Sequence, residues 1–280
     1  MTGCITFASD FGLADEFVGV VHSVLWRLAP GCRVLDLSHY IPAHDIRSGA
    51  RLLQRSIAWI PDGALLAVVD PGVGGTRRPV AVVPRERPDL LMVGPDNGLL
   101  WPALAELGGP LRGVQLELRK RPGAARSAAL AGRTFDGRDL FAPAAAGWCN
   151  GSALADLGEP LAVSSLVELP AAGVALGSDW LSAEVTWIDR FGNVELAATA
   201  DQCSHLGCEL EIAVERPTGG PAGSPSFRAA MVGCFSALGE GRLGVMRDSS
   251  GMAAVVMNES SASAELDVAV GDHIVLRTAR

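Results

Sequence analysis

The sequence has little positive charge and no long apolar run. Lys and Arg total 23 against 31 Asp and Glu, which gives a formal net charge of −8. A partner that binds through its phosphate backbone needs a basic stripe, and residues 119–121 form only a short basic run, so we expect no nucleic-acid partner. No stretch of about 18 uncharged apolar residues is present, so we expect no membrane span. Such an acidic protein suits a small substrate that carries positive charge.

The sequence also lacks a recognisable targeting signal. The chain starts Met-Thr-Gly-Cys and enters an apolar strand directly, with no charged region or cleavage site before it, which predicts that there is no signal peptide. The six cysteines are scattered along the chain, a pattern typical of reduced, buried thiols in a cytoplasmic protein. Cys203, His205 and Cys208 have an unusual spacing and no partner pair elsewhere, so we expect no metal site there.

Several common catalytic motifs are missing. Residues 70–78 form a glycine-rich loop, but it has no Gly-Lys-Ser/Thr ending, and the third glycine of a dinucleotide fingerprint would fall at Arg77. Neither a Gly-x-Ser-x-Gly elbow nor a His-Glu-x-x-His helix occurs, so the sequence lacks the main motifs that would indicate a serine hydrolase or a zinc hydrolase. The glycines instead allow the backbone to approach a ligand closely, and Arg77 can fold back toward Asp70. A purely structural Asp–Arg pair that holds a turn is the alternative.

The first part of the chain alternates apolar strands with helical patterns. Apolar residues make up 49% of the sequence and charged residues 19%, which is typical of a well-buried globular protein. We predict strands at 4–8, 33–37, 64–69, 79–83 and 90–93, and helices at 17–28, 45–59 and 99–107. This alternation predicts an α/β fold with a mainly parallel sheet and flanking helices on both faces.

The pattern changes after about residue 159. Short β-like runs separated by Gly- and Pro-rich turns follow, at 183–188, 210–214, 244–246, 253–257 and 273–276, and residues 217–225 are the loosest stretch. Such a pattern is typical of a small β-barrel or sandwich. We therefore predict an N-terminal α/β domain over 1–164, a linker over 165–180 and a C-terminal β domain over 181–280.

Acidic side chains follow two of the predicted strands. Asp10 and Asp70 stand where the first and third strands end, and ligands of open α/β sheets bind beyond such ends, although an acid there can also simply cap a helix. The polar run 134–139 precedes an apolar helix, and its side chains are costly to bury unless they pair with each other or with a ligand. A helix cap explains Asp139 but not Asp136. We interpret three further segments, taken alone, as turns: 188–193, 248–251 and 258–261.

Taken together, these clusters resemble the S-adenosylmethionine hydrolase family, also called SAM hydroxide adenosyltransferases, which are related to the fluorinase and chlorinase. The similarity runs through nearly the whole chain. The motifs that carry it are Ser9-Asp-Phe-Gly12 with Asp15, Asp70-Pro-Gly-Val-Gly74 with Arg77, Gly94-Pro-Asp-Asn-Gly-Leu-Leu100, Thr134-Phe135 through Pro143, Ile188-Asp189 with Phe191-Gly-Asn193, and Ser249 with Gly251.

The resemblance implies an N-terminal α/β domain, a C-terminal β-barrel and a homotrimer that holds its small-molecule substrate between neighbouring subunits. It further implies hydrolysis of S-adenosyl-L-methionine to adenosine and L-methionine, without metal or redox cofactor. By the same resemblance Asp10 binds the ribose hydroxyls. The remaining substrate contacts that it implies are Asp15, Asp189 and Ser249 at the methionine end, Asn193 with the backbone near Glu259 at adenine, and Phe191 and Phe235 beside the purine.

One member of the family's water-activating set differs in this chain. Asp70 and Arg77 match two members of that Asp-Arg-His set, but Asp136 stands where histidine is usual, and Arg77 then lies between two carboxylates. We expect Asp70 and Arg77 to orient the attacking water and Asp136 to accept its proton or its hydrogen bond. A non-catalytic binder of S-adenosylmethionine or adenosine, which this departure favours, and a halogenase that attacks the same carbon are the alternatives.

Overall fold

The computed structural model describes residues 3–117, 134–215 and 226–279, so the basic run at 119–121 and the loose stretch at 217–225 lie outside the described residues. The chain divides into two compact units, Met1–Leu169 and Pro170–Arg280. Within the described parts of the chain, no helix combines the length and the apolar character needed to cross a membrane.

A seven-stranded sheet forms the centre of the first unit, in the order β2-β1-β3-β5-β4-β6-β7. Its strands are β1 (Cys4–Ser9), β2 (Arg33–Ser38), β3 (Gly63–Val68), β4 (Pro79–Pro84), β5 (Leu90–Pro95), β6 (Pro110–Leu116) and β7 (Gly158–Leu161). β2, β1, β3 and β5 pair in parallel, and β4, β6 and β7 extend the sheet through antiparallel pairs. The predicted α/β class is confirmed, and the parallel half of this mixed sheet carries the candidate site.

Helices cover both faces of the sheet. They are α1 (Phe17–Leu28), α2 (Ile46–Ser56), α3 (Trp101–Glu106) and α4 (Ala142–Cys149). One buried cluster joins α1 and α4 to the sheet and includes Phe7 and Leu25, while a second joins α2 and α3 to the opposite face and includes Leu53 and Leu65. Asp45 caps α2 as expected, because its carboxylate accepts a hydrogen bond from the Ser48 N–H at 2.9 Å.

The second unit is a closed β-barrel. Its strands are β9 (Trp180–Ile188), β10 (Val194–Thr199), β11 (Glu209–Glu215), β12 (Ser226–Met231), β13 (Leu243–Arg247), β14 (Met252–Met257) and β15 (His273–Thr278). They pair in the order β10-β14-β13-β12-β11-β15-β9, and β9 pairs again with β10, so the ring has no free edge. A short α5 (Ala262–Leu266) adds Ala262 and Leu266 to the barrel core. The barrel implied by the resemblance is therefore confirmed.

The segment expected to be a linker contains regular structure. Within residues 165–180, β8 (Val174–Leu176) pairs antiparallel with β9. The boundary between the compact units falls after Leu169, inside the same segment.

All six cysteines are unpaired thiols. Cys149 and Cys203 are buried, and burial raises the pKa of the Cys203 thiol to about 11. Cys208 and Cys234 are exposed, which differs from the expectation that the thiols are buried.

Candidate active site

Two neighbouring parallel strands bring two of the predicted acids to one edge of the sheet. β1 and β3 pair in register up to Ser9 and Val68, and Asp10 follows Ser9 directly. The Asp10 N–H donates to the Val68 carbonyl at 3.3 Å, so the chain is still held to β3 at the strand end. Asp70 lies two residues beyond the end of β3, at the same edge. This is the position at which open α/β sheets bind ligands.

A cavity of about 230 Å³ lies at this edge. Three carboxylates line it, from Asp10, Asp70 and Asp136. The remaining lining residues are apolar, aromatic or small polar ones and include Phe11, Phe17, Val73, Thr134, Phe135 and His44. The structure thus brings three of the sequence-predicted residues into one cavity, and Arg77 joins them from beside it.

Arg77 links Asp70 and Asp136. Its Nε donates to Asp70 Oδ1 at 2.9 Å and to Oδ2 at 3.0 Å, while Nη2 donates to both Asp70 Oδ2 and Asp136 Oδ2. The three side chains are largely buried, with exposed fractions of 5% for Asp70, 11% for Arg77 and 14% for Asp136. Arg77 therefore neutralises one of two adjacent carboxylate charges, and the group as a whole remains anionic.

Burial and pairing act in opposite directions on Arg77. Burial acts to lower the pKa of Arg77, but the hydrogen bonds to Asp70 and Asp136 outweigh it, so the pKa lies above its usual value. The guanidinium also lies over the ring of Phe141, 5.5 Å from its centroid. Arg77 is a permanent cation held between two acids.

The glycine-rich loop returns Arg77 to Asp70. A Cβ on Gly72 would lie 3.1 Å from Arg77 Cγ, so the missing side chain makes room for the arginine stem. Backbone hydrogen bonds from Val73 to Asp70 and from Gly75 to Gly72 tighten the loop. The loop thus has the role expected from the sequence, in which a cation folds back onto the acid that starts it.

The motif at 94–100 supports the same strand end. The Asn97 side-chain amide donates to the Val69 carbonyl at 2.9 Å, directly before Asp70. Asp96 is buried, with 7% exposed, and accepts hydrogen bonds from Arg78 Nε at 2.8 Å and from the Val167 N–H at 2.8 Å. These contacts indicate a positioning role for this motif and not a place in the cavity.

Asp136 stands directly before a single π-helical turn, Gly137–Phe141, that leads into α4. This turn buries Phe141 beneath Arg77, and Asp139 pairs with Arg138 at 2.7–2.8 Å. The two acids of the 134–139 run are thus divided between two roles, since Asp136 faces the cavity and Asp139 pairs with a cation outside it. π-turns of this kind are frequent at functional sites.

Asp10 is positioned by the backbone of a loop before α2. The His44 N–H donates to Asp10 Oδ2 at 2.9 Å, and His44 has a positive φ of 67°. That conformation is unusual for a residue other than glycine and is found mostly where the surrounding structure imposes it. The contact fixes one carboxylate oxygen of Asp10 and brings His44 to the cavity.

An aromatic wall was not anticipated from the sequence. The rings of Phe11, Phe17 and Phe135 contact one another, with centroids 5.2–5.8 Å apart, and all three line the cavity. Phe11 follows Asp10 and Phe135 precedes Asp136, so the available signal was an aromatic residue next to each motif acid. Phe17 had no such signal, because its position in α1 suggests only a helix start.

Asp15, the remaining predicted acid of the first unit, does not lie with the acids of the cavity. It lies exposed in the segment between β1 and α1 and is not among the residues that line the described cavity.

In the second unit, Asp189 and Asn193 close the turn between β9 and β10. Asp189 Oδ1 accepts hydrogen bonds from the N–H groups of Phe191 and Asn193, at 2.8 and 3.0 Å, and Oδ2 accepts one from Asn193 Nδ2 at 2.8 Å. Gly192, with φ of 82°, lies against Ser261 so closely that no side chain would fit. Asp189 therefore shapes this turn, whatever else it contacts.

Of the other predicted residues of this unit, Phe191 lies on the same turn, and Phe235, Ser249 and Glu259 lie on three further loops. Phe191 is 69% exposed at the tip of the Asp189 turn, and Phe235 is 42% exposed in a short 3₁₀ turn. Glu259, with φ of 52°, follows the end of β14. The segment after it lies beside the Asp189 turn, since the Ser263 N–H donates to Gly192 O at 2.9 Å. Ser249 is exposed in the turn before β14 begins, at the other end of that strand.

The fold and the cavity define a two-domain protein, with an α/β unit that carries an acidic cavity and a separate β-barrel unit. The family model for the SAM hydroxide adenosyltransferase N-terminal domain matches residues 5–158, and the model for the C-terminal domain of the same family matches residues 183–275. The chain belongs to the SAM hydroxide adenosyltransferase family.

Relatives of nearly the same length are named for one activity. An (R)-S-adenosyl-L-methionine hydrolase from Salinispora tropica is 43% identical, over 98% of this chain and 97% of its own. Another from Thermus thermophilus is 38% identical, over 95% of this chain and 96% of its own. A crystal structure of an uncharacterized conserved protein from Thermotoga maritima is 29% identical and superposes with a TM-score of 0.86, over 98% of this chain and 99% of that one.

Replacing Arg77 with glutamine tests the buried pairing. Asp70 and Asp136 would face each other without a shared cation, so we expect the free energy of unfolding to fall by about 3 kcal/mol. Thermal and urea unfolding measure this loss.

Arg247→Gln is the matched control. Arg247 pairs with Asp201 on the surface, with 53% and 79% exposed, and surface pairs contribute only about 0–1 kcal/mol. If Arg77→Gln and Arg247→Gln unfold with the same small loss, the buried interaction does not exist as described.

Proposed function

We propose that the chain hydrolyses S-adenosyl-L-methionine to adenosine and L-methionine. The observation that carries this proposal is the Asp70–Arg77–Asp136 group at the wall of a cavity on the ligand-binding edge of the sheet. Two relatives at 38–43% identity over nearly the whole chain are named for this reaction, which supports it independently.

The reaction is an in-line displacement at the 5′ carbon of the ribose. A water oxygen forms a bond to that carbon while the carbon–sulfur bond breaks, and the bond's electron pair goes to sulfur. The sulfonium thereby becomes the neutral thioether of methionine, and one proton leaves the water, so atoms and charge balance. Since the sulfonium is already a good leaving group, the step requires the water to be held close and in line.

Asp70 and Arg77 orient this water, and Asp136 accepts its proton or its hydrogen bond. Asp136 receives its hydrogen bond from Arg77 through Oδ2, so Oδ1 is the oxygen assigned to the water. Asp10 binds the ribose hydroxyls through Oδ1, since the His44 N–H already occupies Oδ2. Three carboxylates against one guanidinium give the cavity a negative charge that attracts a sulfonium cation.

Asp15 of the first unit and residues of the second unit supply the remaining contacts of the proposal. Asn193 and the backbone near Glu259 bind adenine, and Phe191 and Phe235 pack near the purine. Asp15, Asp189 and Ser249 hold the methionine end, Asp189 through the turn that it already shapes. No metal or redox cofactor takes part in the chemical step. The free thiols agree with a reducing, cytoplasmic location.

The first test removes the charge of Asp70. Asp70→Asn keeps the size of the side chain but removes one of the two charges that pair with Arg77, so we expect kcat to fall about 100-fold or more. Adenosine is measured by chromatography after incubation with S-adenosylmethionine, and ¹⁸O from labelled water should appear in the 5′ hydroxyl. Asp62→Asn is the control, because Asp62 pairs with Arg87 on the surface.

Two results would contradict the proposal. Asp70→Asn with more than half of the wild-type activity would remove this group from the reaction. A wild-type protein that binds S-adenosylmethionine tightly but releases no adenosine after long incubation would support the alternative of a non-catalytic binder.

The second test exchanges Asp136 for the residue usual in the family. An imidazole titrates near neutral pH and is a better general base there than an ordinary carboxylate, so Asp136→His should hold or raise kcat, and Asp136→Asn should lower it. Steady-state adenosine formation against pH measures both variants. A collapse of activity in Asp136→His would show that the chain needs a carboxylate at this position.

Halogenation is disfavoured by the same geometry. A halide at the position of the water would lie beside Asp70 and Asp136, and two like charges 4 Å apart repel by about 4 kcal/mol at an effective dielectric constant near 20. Formation of S-adenosylmethionine from 5′-chloro-5′-deoxyadenosine and methionine, with release of chloride, would reinstate that alternative.

We further propose a homotrimer that holds substrate between neighbouring subunits. The cavity of about 230 Å³ is smaller than the roughly 300–1,000 Å³ of typical ligand pockets, which supports a site completed by further residues. Light scattering on the purified protein should therefore give the mass of three chains. A monomer that retains full activity would contradict a site shared between subunits.

A further inference from the structure

Two histidines and an aspartate converge outside the cavity. His22 lies on α1, Asp36 on β2 and His39 just beyond the end of β2. One ligand atom from each lies within 4.8 Å of the other two. Neither the sequence motifs nor the proposed reaction uses this cluster.

The distances fit a common ligand for the three side chains. Asp36 Oδ1 lies 2.8 Å from His22 Nε2 and 3.1 Å from His39 Nε2. Two atoms at these separations, each about 2.1 Å from one ion, subtend angles of about 85° and about 95° at that ion, close to the 90° between adjacent ligands of an octahedral site. Two histidines and one carboxylate are a donor set that divalent transition metals prefer.

His39 provides a second, independent observation. Its side chain is only 3% exposed, and within the described residues its buried Nε2 has no hydrogen-bond partner. Asp36 Oδ1 lies 3.1 Å from this nitrogen without forming a hydrogen bond to it. A buried polar atom without a partner is unfavourable, and an ion between the nitrogen and the carboxylate satisfies both.

The surroundings hold the histidine rings in place. His39 Nδ1 lies 2.7 Å from Ser9 Oγ, and a neutral His39 that donates from Nδ1 presents a lone pair at Nε2. The buried ring of Phe7 packs against both imidazoles, with centroids 4.6 Å from His39 and 6.2 Å from His22.

We propose that His22, Asp36 and His39 bind a divalent transition-metal ion, such as Zn²⁺ or Co²⁺, with its remaining positions open to water. The exposed fractions of His22 and Asp36, 36% and 42%, give the ion a path to the site. The ion takes no part in bond breaking, because the cluster contributes no residue to the lining of the cavity.

The site is connected to the loop that carries Asp10. The Gly12 N–H donates to the His39 carbonyl at 2.8 Å, and the Phe11 N–H donates to Ser9 Oγ at 3.3 Å. An ion that fixes His39 therefore stiffens residues 9–12, and the metal has a positioning role for the cavity wall.

The test uses the untagged full-length protein after removal of metals with a chelator. Titration with Zn²⁺ and with Co²⁺, followed by calorimetry and by the visible absorption of Co²⁺, should give one ion per chain. His22→Ala and Asp36→Asn should each weaken binding at least tenfold, since each removes one ligand from an exposed position.

His205→Ala is the matched control, because His205 is an exposed histidine in the second unit. It should bind both ions as the wild type does. Failure of the wild type to bind one ion per chain overturns the proposal, whether or not the variants fold. Binding by His22→Ala and Asp36→Asn that equals the wild type overturns it as well, and identifies the bound ion as adventitious.

Discussion

The candidate site depends on one guanidinium that two buried carboxylates share. Asp70 and Asp136 are far apart in the sequence of the first unit, and without Arg77 their mutual repulsion would oppose the approach of α4 to the sheet edge. With Arg77 between them, the pair becomes a rigid acceptor surface, because each carboxylate has an oxygen fixed by a charged donor. The position of Arg77 is in turn set by Gly72 and the short turn around it. A small number of backbone constraints therefore determines where this acceptor surface lies.

The sequence predicted the architecture well where one physical rule dominated. α1 was predicted with the bounds that the structure has, because Val18, Val21 and Leu25 repeat at helical spacing with no competing signal. Asp45 was predicted as the N-cap of α2 because an aspartate side chain can accept a hydrogen bond from a free N–H group in the first turn of a helix. The convergence of Asp10 and Asp70 followed from the parallel pairing of their strands. In each case a local pattern and the tertiary structure favour the same conformation.

Other elements could not be read from local patterns. β6 contains Pro110, Arg112 and Gly113, and β10 buries Glu195 among alanines, so neither resembles a strand; neighbouring strands stabilise both. The π-turn before α4 and the contact of Phe17 with Phe11 and Phe135 depend on tertiary packing alone. The triad of His22, Asp36 and His39 was missed for the same reason, since its members lie on α1, on β2 and just beyond β2, and tertiary packing brings them together.

The placement of the acids explains why water is the proposed nucleophile. When neutral water attacks a sulfonium-bearing carbon, positive charge leaves sulfur and develops on the incoming oxygen, so acids beside that oxygen are stabilising to a greater extent in the transition state than in the ground state. An incoming halide carries negative charge, which the same acids repel from the start. Acids beside the sulfur would have the opposite effect on rate, because they would stabilise the substrate most. In the proposed reaction, Asp70 and Asp136, joined through Arg77, favour hydrolysis because they lie on the side from which the water enters. The carboxylate at 136 preserves this asymmetry of charge even where histidine is usual.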